Sequence, residues 1–149
     1  MNLTLNLSKC QLYQKKLTFL GHVFEDGIMK PDPARLQPLL EFPIPQHKKE
    51  LERLVGMLVY NSKWVPDFAE TARPLFEAKE RPVFPLNTDC VRVTLTLKNI
   101  IAKSFLAIPE DETPLTLETD ASSTSIGAVL SQSGKPLAYF SNRLSQTES

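Results

Sequence analysis

The apolar residues of this chain change period twice, and that change bounds its fold more tightly than any single motif. Leu3, Leu5 and Leu7 alternate, and Leu17, Phe19, Val23 and Phe24 carry an apolar, β-prone run through LTFLGHVF. Strand side chains repeat every second residue, so this opening predicts strands. Further on, Leu51, Leu54, Val55, Leu58 and Val59 recur at spacings of three and four, the stripe of an amphipathic helix. From Thr113 alternation returns in LTLETDAS, followed by SIGAVLSQ and PLAYFSNRL. Strands, then about four helices, then three antiparallel strands define an α+β chain.

Proline, glycine and aspartate punctuate these runs. Asp26-Gly27 between apolar segments predicts a tight hairpin over roughly residues 17–30, with Ile28-Met29 starting the return strand. Asp32 is placed to cap a helix whose first residue, Pro33, loses no hydrogen bond there. Leu36, Leu39 and Leu40 face that helix inward, Pro38 disturbs its interior and Pro43 ends it. After the stiff Pro43-Ile44-Pro45 connector comes the amphipathic helix. Pro66-Asp67 then opens another, carrying Phe68, Ala72, Leu75 and Phe76 with Pro74 inside. RPVFPLN is irregular. The next stretch is ambiguous: VRVTLTL alternates like a strand, yet Cys90, Val93, Leu97, Ile100 and Ile101 fit a helical stripe. A Thr88-Asp89 cap and the lysines from Lys98 to Lys103 near the far end favour a helix of about four turns. PEDETP, residues 109–114, is a polar, proline-bounded boundary, and Ser133-Gly134 supplies the last hairpin turn.

An apolar fraction of 42% suits a packed core. No apolar run approaches the roughly 20 residues needed to cross a bilayer, and the N-terminus lacks the basic start and apolar stretch of a signal peptide. The chain therefore reads as soluble and intracellular, with no membrane partner. Cys10 and Cys90 are too far apart in sequence to suggest a disulfide framework, and no paired Cys/His spacing offers a zinc site. Formal charge is zero, but residues 1–64 hold nine Lys/Arg against six Asp/Glu and residues 65–149 eight against eleven. The excess is sharpest at Lys9, Lys15 and Lys16, which fit either a solvated strand face or a local phosphate contact.

Three stretches, in order, resemble the polymerase polyprotein (Pol) of gypsy-type long-terminal-repeat retrotransposons. SKCQLYQKKLTFLGHVFEDGIMKPDPARL looks like that family's last palm strands, the hairpin that holds the primer end and the entry to the thumb. LERLVGMLVYNSKWVPDFAETARPLFE resembles its thumb and connecting helices, and TPLTLETDASSTSIGAVLSQSGKPLAYFSNRLSQTE the opening of its ribonuclease H. The resemblance divides the chain into the end of a reverse transcriptase palm with a primer-grip-like hairpin (1–31), thumb and connection helices (32–108) and a truncated ribonuclease H-like domain (109–149). The chain departs from the family at Pro38, at Tyr60-Asn61-Ser62-Lys63, where paired tyrosines and an arginine are usual, and at Phe84-Pro85-Leu86, where a tryptophan is usual.

By that resemblance Phe19, Leu20, Gly21 and His22 form the primer-grip hairpin, where a glycine permits close backbone approach to a nucleic-acid strand. Without it, FLGH reads as a buried strand with one polar residue, and His22 as a hydrogen-bonded structural histidine. Asp120 in ETDAS matches the first catalytic and metal-binding aspartate of ribonuclease H, whose family uses two Mg²⁺ ions among several carboxylates. The partner acids are expected downstream of this sequence and the paired palm aspartates upstream of Met1. Glu118 and Glu148 match no family ligand, so no tightly bound ion is expected here. The resulting expectation is a fragment that positions an RNA–DNA hybrid or primer–template duplex within the rest of the Pol polyprotein, in cytoplasm or a virus-like particle, without catalysis of its own. Lys9, Lys15, Lys16 and the hairpin are its candidate backbone contacts. The alternatives are an assembly module that self-associates through an open sheet edge, Lys135 to Arg143, and a relic without function of its own.

Overall fold

The computed structural model describes residue 4 and residues 6–144. One antiparallel sheet precedes the helices in the chain, apart from its last strand, and a second follows them. In the first sheet, β1 (Lys16–Phe19), β2 (His22–Glu25) and β3 (Ile28–Pro31) form a meander, and β4 (Leu106–Ala107) adds to β3. The expected hairpin turns at Asp26-Gly27, pairing Phe24 with Met29. LTFLGHVF, however, is two strands folded back at Leu20-Gly21, with Phe19 opposite His22. Both turns hold both of their residues at positive φ, the geometry whose twist suits paired strands. Periodicity misses the first one because Leu20 lies at φ 50°, a left-handed conformation that costs a residue with a Cβ about 1–2 kcal/mol. Upstream, the Asn6 side chain accepts the Ser8 N–H and supports a 3-10 turn over Leu7–Lys9, so Leu7 is exposed and not in a strand. Leu3 and Leu5 lie outside the described residues.

In the helical layer, α1 (Pro33–Leu40) begins as expected, with the Asp32 carboxylate accepting the Ala34 N–H at 3.0 Å. Its last carbonyls are met by Lys98, a buried lysine that donates to Leu40 O at 3.2 Å and to Phe42 O. α2 (Lys48–Tyr60) buries Leu51, Leu54, Val55 and Leu58 but leaves Val59 exposed, so its stripe is narrower than the spacing predicts. A 3-10 turn, Ser62–Trp64, follows. The single helix expected after Pro66-Asp67 is two, α3 (Phe68–Thr71) and α4 (Arg73–Glu80). Breaking at Ala72 moves Pro74 from a helix interior, where its missing N–H would cost a bond, into a first turn where it does not. α5 (Thr88–Lys103) resolves the ambiguous stretch as a helix, burying Cys90, Val93, Leu97 and Ile101. Its cap is Asn87, whose side chain accepts the Cys90 N–H at 2.8 Å, one residue before the expected one. Leu39, Leu51, Leu54, Leu58, Trp64, Leu97 and Ile101 are the innermost side chains of the core. Burying a leucine or isoleucine contributes about 1.5–3 kcal/mol.

The second sheet is the expected meander, β5 (Leu115–Ala121), β6 (Ser125–Gln132) and β7 (Lys135–Arg143), turning at Ser133-Gly134. β7 lies against the 3-10 turn at Ser62–Trp64, α3 and β4, so the edge expected to be open is partly covered. Leu137 is buried, Tyr139 packs on the helical core, Ser141 Oγ accepts the Ala69 N–H at 2.8 Å, and Arg143 bonds Glu80 at 2.8 Å. β5 is exposed along its whole length. Buried Gln132 accepts the Glu110 N–H (2.8 Å) and donates to the carbonyls of Glu110 (2.9 Å) and Thr113 (2.7 Å), fastening the loop over residues 109–114 to the sheet. Among the described residues no helix is long and apolar enough to cross a membrane.

Candidate functional site

The β1–β2 turn projects from the first sheet. Phe19 and Leu20 are 58% and 72% exposed, so FLGH is a protruding tip and not a buried strand. Behind the tip, Gly21 sits at φ 80° with the Arg35 side chain laid against it, and a methyl group at position 21 would come within 2.8 Å of Arg35 Cδ. Glycine meets both the dihedral and the contact without strain. The Gly21 carbonyl accepts the Asp32 N–H at 3.1 Å, joining the turn to the start of α1.

His22 is held from the other side. Its Nε2 lies 2.6 Å from Lys63 Nζ. An ammonium has no lone pair, so with Lys63 as donor the imidazole nitrogen accepts. The ring is also 5.7 Å from that of buried Trp64, over which Lys63 sits at 5.4 Å. Desolvation in this corner lowers the Lys63 pKa from 10.5. His22 thus has the hydrogen-bond partner that its sequence context calls for.

Gly21, His22, Asp32, Arg35, Tyr60 and Lys63 line a cleft with room for about 20 Å³, near the space one water needs. Tyr60 is 70% exposed at its rim. Among the described residues neither Arg35 nor Lys63 makes an ion pair with a carboxylate. The lysines singled out by charge lie elsewhere. Lys9 is on the first 3-10 turn, Lys15 is an exposed loop residue, and Lys16 pairs with Glu25 at 3.6 Å at the opposite end of β1. Three strand steps separate Lys16 from Phe19, roughly 10 Å. Sequence reasoning did not single out Arg35, and it met Tyr60 and Lys63 only as a departure from the family's usual tyrosines and arginine.

Asp120 stands on β5 opposite Gly127, which is in turn opposite Ser141 on β7. Paired residues share a sheet face, so Asp120 is on the side that carries the Ser141 contact to α3. Its Oδ1 accepts the Ala121 N–H at 2.9 Å. Across the gap is Asp67, which occupies the position before α3 at φ 48° without capping it. Its carboxylate lies over Gly127, where a methyl group would come within 2.8 Å of Asp67 Oδ1. Asp67, Glu70 and Asp120 border one cleft of about 280 Å³, a juxtaposition that nothing in their sequence spacing signals. Among the described residues no three His, Cys, Asp or Glu side chains stand close enough to hold a metal ion. Glu118 is exposed on the same strand, and Glu148 falls outside the described residues.

Residues 86–149 match the RNase H-like domain found in reverse transcriptase. Over 150 residues the chain is 33% identical to the retrovirus-related Pol polyprotein from transposon 297 of Drosophila melanogaster, covering 99% of this chain and 14% of that one. With the Pol polyprotein from transposon gypsy of the same fly it shares 29% identity over 162 residues, again over 99% of this chain and 16% of the relative. The chain belongs with the gypsy-type Pol polyproteins. It spans about a seventh of the length of these relatives, the stretch that runs from reverse transcriptase into ribonuclease H. This Pol segment shares its fold with the foamy viral protease-reverse transcriptase solved in complex with RNA/DNA hybrid. The TM-score is 0.74 at 22% identity, over 95% of this chain and 20% of the viral one. The α+β order expected from the sequence is the order of that shared fold.

Proposed function

We propose that this segment holds a primer–template or RNA–DNA duplex between the polymerase and nuclease centres of its Pol polyprotein, and neither copies nor cleaves the duplex by itself. The observation that carries this reading is the hairpin tip. Exposed Phe19 and Leu20 precede Gly21 and His22, which share a cleft with Arg35 and Lys63, two cations without carboxylate partners among the described residues. Backbone phosphates are the usual counter-charge for such a surface, and contacts to them set position rather than sequence preference. The foamy viral enzyme of the same fold is itself in complex with RNA/DNA hybrid. On this reading residues 1–31 end the palm, 32–108 are thumb and connection, and 109–149 open a ribonuclease H-like domain, working in the cytoplasm or a virus-like particle. Lys9, Lys15 and Lys16 give a second, peripheral set of backbone contacts. Asp120 is the residue that would serve as an Mg²⁺ ligand, and no step of catalysis is assigned to the ion here.

Titrating the purified chain with a labelled RNA–DNA hybrid at two salt concentrations, with and without Mg²⁺, tests this directly. Salt-sensitive binding with the hybrid left intact is the expected result. No binding at low salt overturns the holding role, and Mg²⁺-dependent cleavage lost in Asp120→Asn overturns the absence of catalysis.

A further inference from the structure

We propose that Arg35 and Lys63 together seat one backbone phosphate of a bound duplex, and that His22 is the positioning residue that holds the Lys63 ammonium over that seat. The proposal rests on the duplex-holding reading and deepens it by naming the ligand group and its partners. Three features of the cleft converge on a phosphodiester oxygen. First, the two cations come from different elements, α1 and the 3-10 turn after α2, and face one small cleft behind the hairpin tip. Second, the cleft holds about 20 Å³, enough for one oxygen-sized group and too little for a base or sugar. Third, both cations are already placed at the cleft. Arg35 lies flat along Gly21, and Lys63 is tied to His22 Nε2 at 2.6 Å and rests on the Trp64 ring. Long cationic side chains ordinarily lose rotamer freedom on binding, and holding them beforehand lowers that cost.

Asp32 is the acid that borders the cleft, and its carboxylate is engaged by the Ala34 N–H at the start of α1. A diester that passes the seat would run on along the exposed faces of Tyr60, Phe19 and Leu20. These supply apolar surface for sugars or an end base, which a carboxylate-bearing peptide would not need.

The test measures affinity of the full chain for a short labelled RNA–DNA hybrid as a function of salt, with far-UV circular dichroism confirming that each variant is folded. Losing one phosphate contact should lower the slope of log affinity against log salt by about one. Arg35→Gln and Lys63→Gln are each expected to show that loss, their double variant about twice it, and Arg35→Lys little change. His22→Ala should weaken binding, and His22→Gln, whose amide oxygen can accept from Lys63, should restore it. Wild-type slopes in Arg35→Gln and Lys63→Gln, with the loss appearing instead when Lys9, Lys15 and Lys16 are neutralised, would overturn the seat but leave duplex binding standing. His22→Gln as weak as His22→Ala would overturn the positioning role. An intact chain with no salt-sensitive binding would overturn both this proposal and the reading beneath it.

Discussion

Cys90 is 1% exposed, with its sulfur 3.4 Å from the Pro74 carbonyl oxygen. Burial, and then the negative charges of Asp89 and Glu77, push its thiol pKa up from 9.0. Above pH 9 the unfolded chain releases this proton while the folded chain keeps it. The unfolded state then binds fewer protons, so stability falls as pH rises through that window. Urea unfolding at pH 8 and at pH 10 should therefore show a steeper loss in the wild type than in Cys90→Ala, and equal losses would exclude the effect. Cys90 as a small core residue was legible in the sequence from its place on the stripe of α5. The partners of Arg35 and Lys63 were not, since a cation on a polar helix surface looks the same whether it faces water or a glycine on another strand. Asp67 was legible only as a helix start, and its left-handed backbone, which turns the carboxylate toward Gly127, has no counterpart in local spacing.

α3 packs on β6, and Asp67, the residue just before α3, lies over Gly127. Gly127→Val should push that carboxylate away and strain the neighbouring Ala69–Ser141 bond, costing about 1–3 kcal/mol in chemical denaturation. Asp67→Ala in the same chain should recover part of the loss, a coupling that a double-mutant cycle measures. A neutral Gly127→Val would rule the contact out as a docking point. At this scale the sequence was most readable where local chemistry and burial agree. The α2 stripe, the Asp32-Pro33 start and the Asp26-Gly27 and Ser133-Gly134 turns all stand where their residues predict. It failed where a local preference was overridden. Leu20 accepts a costly dihedral so that β1 can pair with β2, and Ala72 breaks a continuous apolar stripe so that Pro74 can begin a helix.

Across the whole chain, burial is graded: α2 and α5 supply the most enclosed side chains, whereas β5 is open from end to end. Amide exchange should follow that gradient, slowest in the middle of α2 and α5 and fastest in β5, because local opening exposes least new surface there. Protection of β5 equal to that of α5 would contradict it. The two changes of period gave away this plan of sheet, helices and sheet, but not that β4 returns to the first sheet, for two residues carry no periodicity. That return has a mechanical meaning. Met29 pairs with Leu106 and Ile28 with Ala107, so the helical layer leaves the sheet and re-enters it on adjoining strands, about 4.8 Å apart. A body attached at two neighbouring points along one ladder cannot trail like a tethered flap. The β3–β4 seam ties both ends of the helical stretch to the strand that follows the hairpin, so the tip and the helices beside it share one anchor.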